Sequence, residues 1–240
     1  MEVRASPRDW IEVLKSIYPF LVNEGIGNLV LFGSQAMSFY MKNPLRSKDL
    51  DLVTDQLGPK IFGELAKHLT GARPAGAEFR TTNVQTRPFD GRTMTTYSVE
   101  MQISKRPFIL EIFDAVLDGR SPSVLTEHVQ EETKWGVRLW VPTREAVVAL
   151  RLCFRQPEGI SRLNATRLNG FIRDNKTKIR HRKVGEIVVS WGKADLVRAN
   201  LQQLKQYRQK ITDQEKFLTA IKMAEQKPHS TTGYAKTNAT

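Results

Sequence analysis

Two aspartates one residue apart, Asp49-Leu50-Asp51, stand in a segment through Thr54 that alternates polar and apolar side chains. That alternation is the pattern of a half-buried strand, whose successive side chains point to opposite faces. Asp49 and Asp51 therefore share one face, with Cα atoms roughly 6–7 Å apart. Two carboxylates at that spacing can converge on one Mg²⁺ or bracket a pair of ions, since Mg²⁺ takes hard oxygen ligands and shares them with substrate phosphates. A solvated strand face is the plain alternative for an isolated Asp-x-Asp.

The residues ahead of the pair narrow the choice. Asn28 to Phe32 is a short apolar run that predicts a buried strand. Gly33-Ser34 follows as a turn, with Ser34 placed to cap a helix that runs to about Met41. Asn43-Pro44 breaks that helix. A glycine lets backbone approach a phosphate closely, and the N–H groups at a helix start favour an anion. Ser34 adds a hydroxyl donor. Arg46 and Lys48 lie just before the acidic strand and can neutralise phosphate charge.

The rest of the chain reads as helices around a β-rich middle. Trp10, Val13, Leu14, Ile17 and Leu21 recur at helical spacing over Asp9 to Asn23, and Ile61 to Leu69 predicts another helix. From Ala77 to Val116 the pattern turns to strand, best over Thr93 to Ile103 and Phe108 to Val116, with Lys105-Arg106-Pro107 as the turn between them. Val137 to Val141 is a further short strand. Pro142-Thr143 opens a helix over Arg144 to Phe154. Beyond Gln156 the chain is helical and basic, with helices over Leu196 to Tyr207 and Gln214 to Met223. Residues 228–240 lack apolar periodicity and are expected to be a disordered tail.

Charge divides the chain in two. Residues 1–150 hold 18 Lys+Arg and 18 Asp+Glu, whereas residues 151–240 hold 19 and 7, so the whole net charge of +12 sits in the second part. A basic module beside a neutral one points to a polyanionic partner, most often nucleic acid; a solvated basic helical surface is the alternative. No apolar run approaches the roughly 18 residues of a membrane span. The start, Met1-Glu2-Val3-Arg4, lacks a signal-peptide layout. Cys153 is the single cysteine, so no internal disulfide can form, and a reducing, cytoplasmic setting is expected. Cys153 itself reads as a packing residue. His68, His128, His181 and His229 show no paired spacing, which argues against zinc.

Leu31-Phe32-Gly33-Ser34 followed by Asp49-Leu50-Asp51-Leu52 resembles the signature of the nucleotidyltransferase superfamily, the DNA polymerase β-like fold. Arg46-Ser47 ahead of the acidic pair resembles the AbiEii toxin-type nucleotidyltransferases more closely. The resemblance implies an α/β fold: a small mixed twisted sheet with flanking helices, followed by a helical C-terminal part. It implies a catalytic domain over residues 1–141 and a basic helical domain over 142–227. It also implies a third carboxylate between apolar residues on a later strand. Leu110-Glu111-Ile112 and Val99-Glu100-Met101 both fit; Glu111 is preferred because its strand is the more apolar, and Asp114 is the weakest candidate.

By the same resemblance Asp49, Asp51 and Glu111 are the catalytic and metal residues, with Mg²⁺ or Mn²⁺ as cofactor. Gly33, Ser34, Arg46, Ser47 and Arg151 are the nucleotide-binding residues. Arg151 stands where AbiEii-like proteins carry a lysine, and Arg155 follows one turn later; two solvated arginines are the alternative. The implied reaction transfers a nucleoside monophosphate from a nucleoside triphosphate to a hydroxyl, with RNA or the end of a tRNA as the first choice of acceptor, a protein hydroxyl second and a small molecule such as an antibiotic third, and an antitoxin or other regulatory protein as partner. A non-catalytic nucleic-acid-binding protein on the same fold is the alternative. The sequence departs from the AbiEii pattern at Arg182-Lys183-Val184-Gly185-Glu186, where a Lys-Asp pair followed by an Asp is expected.

Overall fold

The computed structural model describes residues 5–89, 92–117, 119–154, 161–206 and 208–227; the expected tail and Arg155 lie outside them. Helix α1 (Pro7–Asn23) starts where the sequence supplies a reciprocal cap. Ser6 Oγ accepts from the Asp9 N–H and an Asp9 carboxylate oxygen accepts from the Ser6 N–H, with Pro7 at the first helical position. Its apolar stripe, Trp10 to Leu21, is buried as the periodicity predicts.

The chain then runs through β1 (Val30–Leu31), α2 (Gly33–Tyr40), β2 (Asp49–Val53), α3 (Pro59–Ala72), β3 (Glu78–Phe89), β4 (Arg92–Ile103) and β5 (Arg106–Phe113). It continues with β6 (Val129–Lys134), β7 (Val137–Pro142), α4 (Arg144–Leu152), α5 (Arg162–Asp174), α6 (His181–Ser190), α7 (Ala194–Gln206) and α8 (Gln214–Glu225). The seven strands form one mixed sheet in the order β3-β4-β5-β2-β1-β7-β6, the α/β architecture expected. β2 lies at its centre, antiparallel to β1 and parallel to β5. The register sets Asp51 directly opposite Glu111.

Two apolar clusters hold the molecule together. One packs α1 and α3 on the sheet, with Phe62 edge-on to Tyr97 at 5.1 Å between ring centroids. The other gathers α4 to α8 and includes Ala36 and Met37 of α2, so the helical part is packed against the element that begins at Gly33. Cys153 is buried in this second cluster, as a packing residue should be.

Three local expectations differ, and one strand leaves no pattern in the sequence. The first strand is only Val30–Leu31, because the backbone turns into α2 at Phe32. Phe32, not Ser34, is the N-cap of α2, and no side chain caps it; the Ser34 hydroxyl is turned to Ser47 instead. The turn between β4 and β5 is Ser104-Lys105, both left-handed at φ 52° and 62°, which a tight two-residue hairpin requires; Arg106 and Pro107 belong to β5. Strand β6 (Val-Gln-Glu-Glu-Thr-Lys) gives no apolar alternation because it is a largely solvent-facing edge. No helix among the described residues is long and apolar enough to cross a membrane.

Candidate active site

Asp49 and Asp51 project from the same face of β2, and Glu111 projects beside them from β5. Each offers a carboxylate oxygen, and the three oxygens lie within 4.8 Å of one another, the groups being partly buried. Glu100, the other candidate, is on the same face of the sheet but pairs opposite Ile109, one strand further out and exposed. Asp114 turns away to accept from the Thr95 N–H at 2.7 Å.

Hydrogen bonds hold the acidic strand in place. Ser47 Oγ donates to Asp49 Oδ1 at 2.6 Å and lies 3.0 Å from Ser34 Oγ. Ser47 is buried, and its backbone bridges to Ala5 through two hydrogen bonds. From α2, Gln35 Nε2 donates to the Asp49 carbonyl oxygen at 2.5 Å. Ser34 and Ser47, expected as nucleotide contacts, thus also form a chain that orients Asp49.

Gly33 has φ +60°, a conformation that favours glycine, and a Cβ built on it would stand 1.7 Å from Asp51 Oδ2. No side chain fits between the start of α2 and this carboxylate. The first N–H groups of an α-helix have no partner within the helix, and Gly33 and Ser34 both line the cleft above the triad.

That cleft encloses about 400 Å³ between the sheet and the helices α4 and α5. Arg151 and Arg167 line its helical wall, and Lys48 enters from the β2 side. Arg167 was not singled out in the sequence. Its only signal there is its place next to Leu168, at the border of the buried stripe Ala165, Leu168, Phe171 and Ile172. Arg46, expected at the phosphates, is exposed and not among the cleft residues; its carbonyl oxygen accepts from Arg167 Nη2 at 3.3 Å. Glu186 is away from the cleft, in ion pairs with Arg182 and Lys227.

The charges in the site are in tension. Burial, then the neighbouring Asp49 and Glu111 carboxylates, raise the Asp51 pKa well above the usual carboxylate range, against the pull of Arg151 and Arg167. Glu111 is raised by burial and by Asp49, with Arg87 and Lys48 opposing. Burial lowers the Arg151 pKa, opposed chiefly by Asp51. Three clustered carboxylates, all hard oxygen donors, suit a divalent cation.

No family model matches the chain, and no curated protein matches it in sequence. Among solved structures it is similar to an antigenic nucleotidyltransferase-like protein from Paracoccidioides brasiliensis, at 13% identity and a TM-score of 0.44, over 88% of this chain and 97% of that one. It is similar to the antibiotic-resistance factor ANT(2'')-Ia in solution, at 12% identity and a TM-score of 0.47, over 83% and 96% of the two chains. It is also similar to ANT(2'')-Ia crystallised with adenylyl-2''-tobramycin, at 10% identity and a TM-score of 0.36, over 82% and 98%. These structural neighbours are nucleotidyltransferases or resemble them.

Proposed function

We propose that this chain is a divalent-metal-dependent nucleotidyltransferase that moves a nucleoside monophosphate from a nucleoside triphosphate to an acceptor hydroxyl. The observation that carries this reading is the triad: three carboxylate oxygens within 4.8 Å of one another, under a cleft lined by Gly33 and two arginines. Asp49, Asp51 and Glu111 would hold the cation. A divalent ion bound there neutralises the triphosphate and stabilises charge on the attacking and leaving oxygens.

The protein's own groups do the rest. The Gly33-Ser34 turn receives phosphate against the start of α2. Arg151, Arg167 and Lys48 supply positive charge along the triphosphate, with the arginines able to grip two oxygens each. Glu111 takes the proton from the acceptor hydroxyl. The acceptor oxygen bonds to the α-phosphorus, the bond from that phosphorus to the bridging oxygen breaks, and pyrophosphate leaves with the electron pair. Catalysis of this kind consists mostly of positioning and charge stabilisation.

We take the acceptor to be RNA, including a tRNA end, because the net charge of +12 is carried by residues 151–240, the part that supplies Arg151 and Arg167 to the cleft. We divide the chain into a catalytic unit (1–141) and a basic helical unit (142–227) that closes the cleft. Arg46-Ser47-Lys48 ahead of the acidic pair supports an AbiEii-type assignment, and with it a role as the effector of a toxin–antitoxin or phage-defence pair. The test is transfer of labelled α-phosphate from each of the four NTPs, with Mg²⁺ or Mn²⁺, to total RNA and to total protein. Label in RNA with the wild type and not with Asp49→Ala/Asp51→Ala is the expected result. Label in protein would overturn the acceptor. No label from a folded protein that binds nucleotide would overturn the transferase.

A further inference from the structure

Register extends the catalytic row across the sheet. Asp51 stands opposite Glu111, Glu111 opposite Ser98 of β4, and Ser98 opposite Asn83 of β3. Directly paired residues share a face, so Ser98 and Asn83 lie on the same face as the triad. Adjacent strands are about 4.8 Å apart, which puts Ser98 about 5 Å and Asn83 about 10 Å outward from Glu111.

On β4 the opposite face is committed to the core, where Tyr97, Val99 and Met101 pack with residues of α1 and α3. On the triad face the β3 side chains Asn83, Gln85 and Arg87 are exposed; on β4 Ser98 is half-buried between the exposed Glu100 and the buried Thr96 and Met94. Strands β3 and β4, at 12 residues each, outrun the eight-residue β5, and Arg87 lies in the overhang, paired with Met94. Its charge opposes the rise in the Glu111 pKa, although Arg87 is not among the residues that line the arginine-walled cleft.

We propose that this polar face, running from Glu111 through Ser98 to Asn83 and Gln85 with Arg87 beside it, is the track that holds the acceptor strand, a single-stranded polynucleotide whose terminal hydroxyl reaches Glu111. The inference rests on the transferase reading and adds the surface that selects the acceptor. Three features fit a sugar-phosphate backbone. The track is continuous with the triad. Its Ser, Asn and Gln side chains are of the kind that contact phosphate and sugar oxygens. It carries an arginine where a phosphate a few nucleotides from the terminal hydroxyl would pass. An extended strand also matches the line of β3, which has no neighbouring strand on its outer side among the described residues.

The test uses the full-length protein and a 5′-fluorescein-labelled RNA of about twelve nucleotides, within the range of single-strand sites. Binding is followed by anisotropy across a salt series, and nucleotide binding is measured in parallel with a fluorescent ATP analogue. Arg87→Ala should weaken RNA binding and make the slope of log K against log salt shallower by about 0.7, the value for one phosphate contact on a single strand. Asn83→Glu should weaken RNA binding about tenfold. Thr82→Glu adds the same charge one residue away on the opposite face, where Thr82 pairs with Val99, and should leave binding unchanged. Asn83→Lys should tighten binding and steepen the slope, a gain that damage to folding cannot mimic. Nucleotide binding should be unaltered in all four. Equal effects of Asn83→Glu and Thr82→Glu, or no effect of either, would overturn the track. Wild-type protein that binds the ATP analogue but no RNA would overturn the track and leave the transferase standing; failure to bind the analogue while binding RNA through this face would sink the transferase and leave the surface.

Discussion

Gly33 meets the carboxylate of Asp51 so closely that a Cβ on the glycine would stand 1.7 Å from Asp51 Oδ2. Gly33→Ala must therefore either push the carboxylate out of the triad or unwind the start of α2. The left-handed φ of +60° adds a conformational cost of about 1–2 kcal/mol for any other residue. Displacing a reacting group by about an ångström can cost about a hundredfold in rate. Nucleotidyl transfer should fall at least that far, with a lower unfolding midpoint in urea. A variant with wild-type transfer would show that Asp51 does not act from its position in this structure.

Ser47 offers a subtler test, because its hydroxyl donates to Asp49 Oδ1 while its backbone is held by Ala5. Ser47→Ala removes only the hydroxyl and leaves that bridge intact. Partners that orient a metal-binding carboxylate typically contribute about 10–100-fold. The expectation is a drop of about tenfold in kcat and a raised requirement for Mg²⁺, with KM for the triphosphate little changed. A change confined to KM would mean that Ser47 contacts the nucleotide, the role the sequence suggests.

The difference between Ser47 and Arg167 shows what one chain discloses by itself. Asp49 and Asp51 are readable because a strand has period two, and Gly33 because a turn before a helix has its own residue chemistry. Choosing Glu111 over Glu100 needs the parallel pairing of β2 with β5, which places Glu111 and not Glu100 opposite Asp51, although both share the face. Arg167 reaches the cleft only because α5 packs where it does, a tertiary fact with no local pattern. Arg46 stays outside the cleft lining for the converse reason: proximity in sequence to an acidic strand does not turn a side chain toward it. The polar edge strand β6 leaves no periodic trace because only buried faces impose one.

Gly185 is conspicuous as the middle of the segment that departs from the AbiEii pattern, and its role is packing. A Cβ there would come within 2.4 Å of the Ala220 carbonyl carbon and 2.7 Å of the Ile221 nitrogen, backbone atoms of α8 that cannot turn aside. Gly185→Ala should separate α6 from α8 and destabilise the protein by about 1–3 kcal/mol, as overpacking does. The gain in helix propensity, about 1 kcal/mol, is too small to reverse the sign. Chemical denaturation would detect the loss; an unchanged midpoint would mean that the two helices do not cross this tightly.

Acid sensitivity should be traceable to Glu145, which is buried at 4% exposure at the start of α4. Burial raises its pKa, but hydrogen bonds from the Arg180 side chain and backbone N–H outweigh that and hold the value below 4.5. A depressed carboxylate stabilises the fold above its unfolded pKa, and that stability is lost as pH falls through the folded value. Arg180→Gln removes the charge-assisted bond and leaves the carboxylate buried with only the backbone donor. The variant should be less stable than wild type at pH 7, and the gap should narrow at an acid pH below the depressed folded value of Glu145, where the carboxylate is protonated. Stability curves at the two pH values would check this; a gap that does not depend on pH would assign Arg180 a packing role alone.

Asp51 is where function and stability should pull apart. Three carboxylates with oxygens within 4.8 Å repel one another when no cation is bound, and burial makes the Asp51 charge costlier still. Asp51→Asn keeps the shape beside Gly33 and removes one of the three charges. In chelator the variant should therefore unfold at a higher temperature than wild type, by an amount equivalent to about 0.5–2 kcal/mol. Adding Mn²⁺ should reverse the order. A ligand at a hundred times its dissociation constant stabilises by about 2.7 kcal/mol, and only the wild type retains the full set of oxygens to bind it. Melting curves of both proteins with and without Mn²⁺ would read the crossing directly. Parallel shifts of the two proteins on adding Mn²⁺ would mean that the cation binds elsewhere and that the triad holds its charges without it.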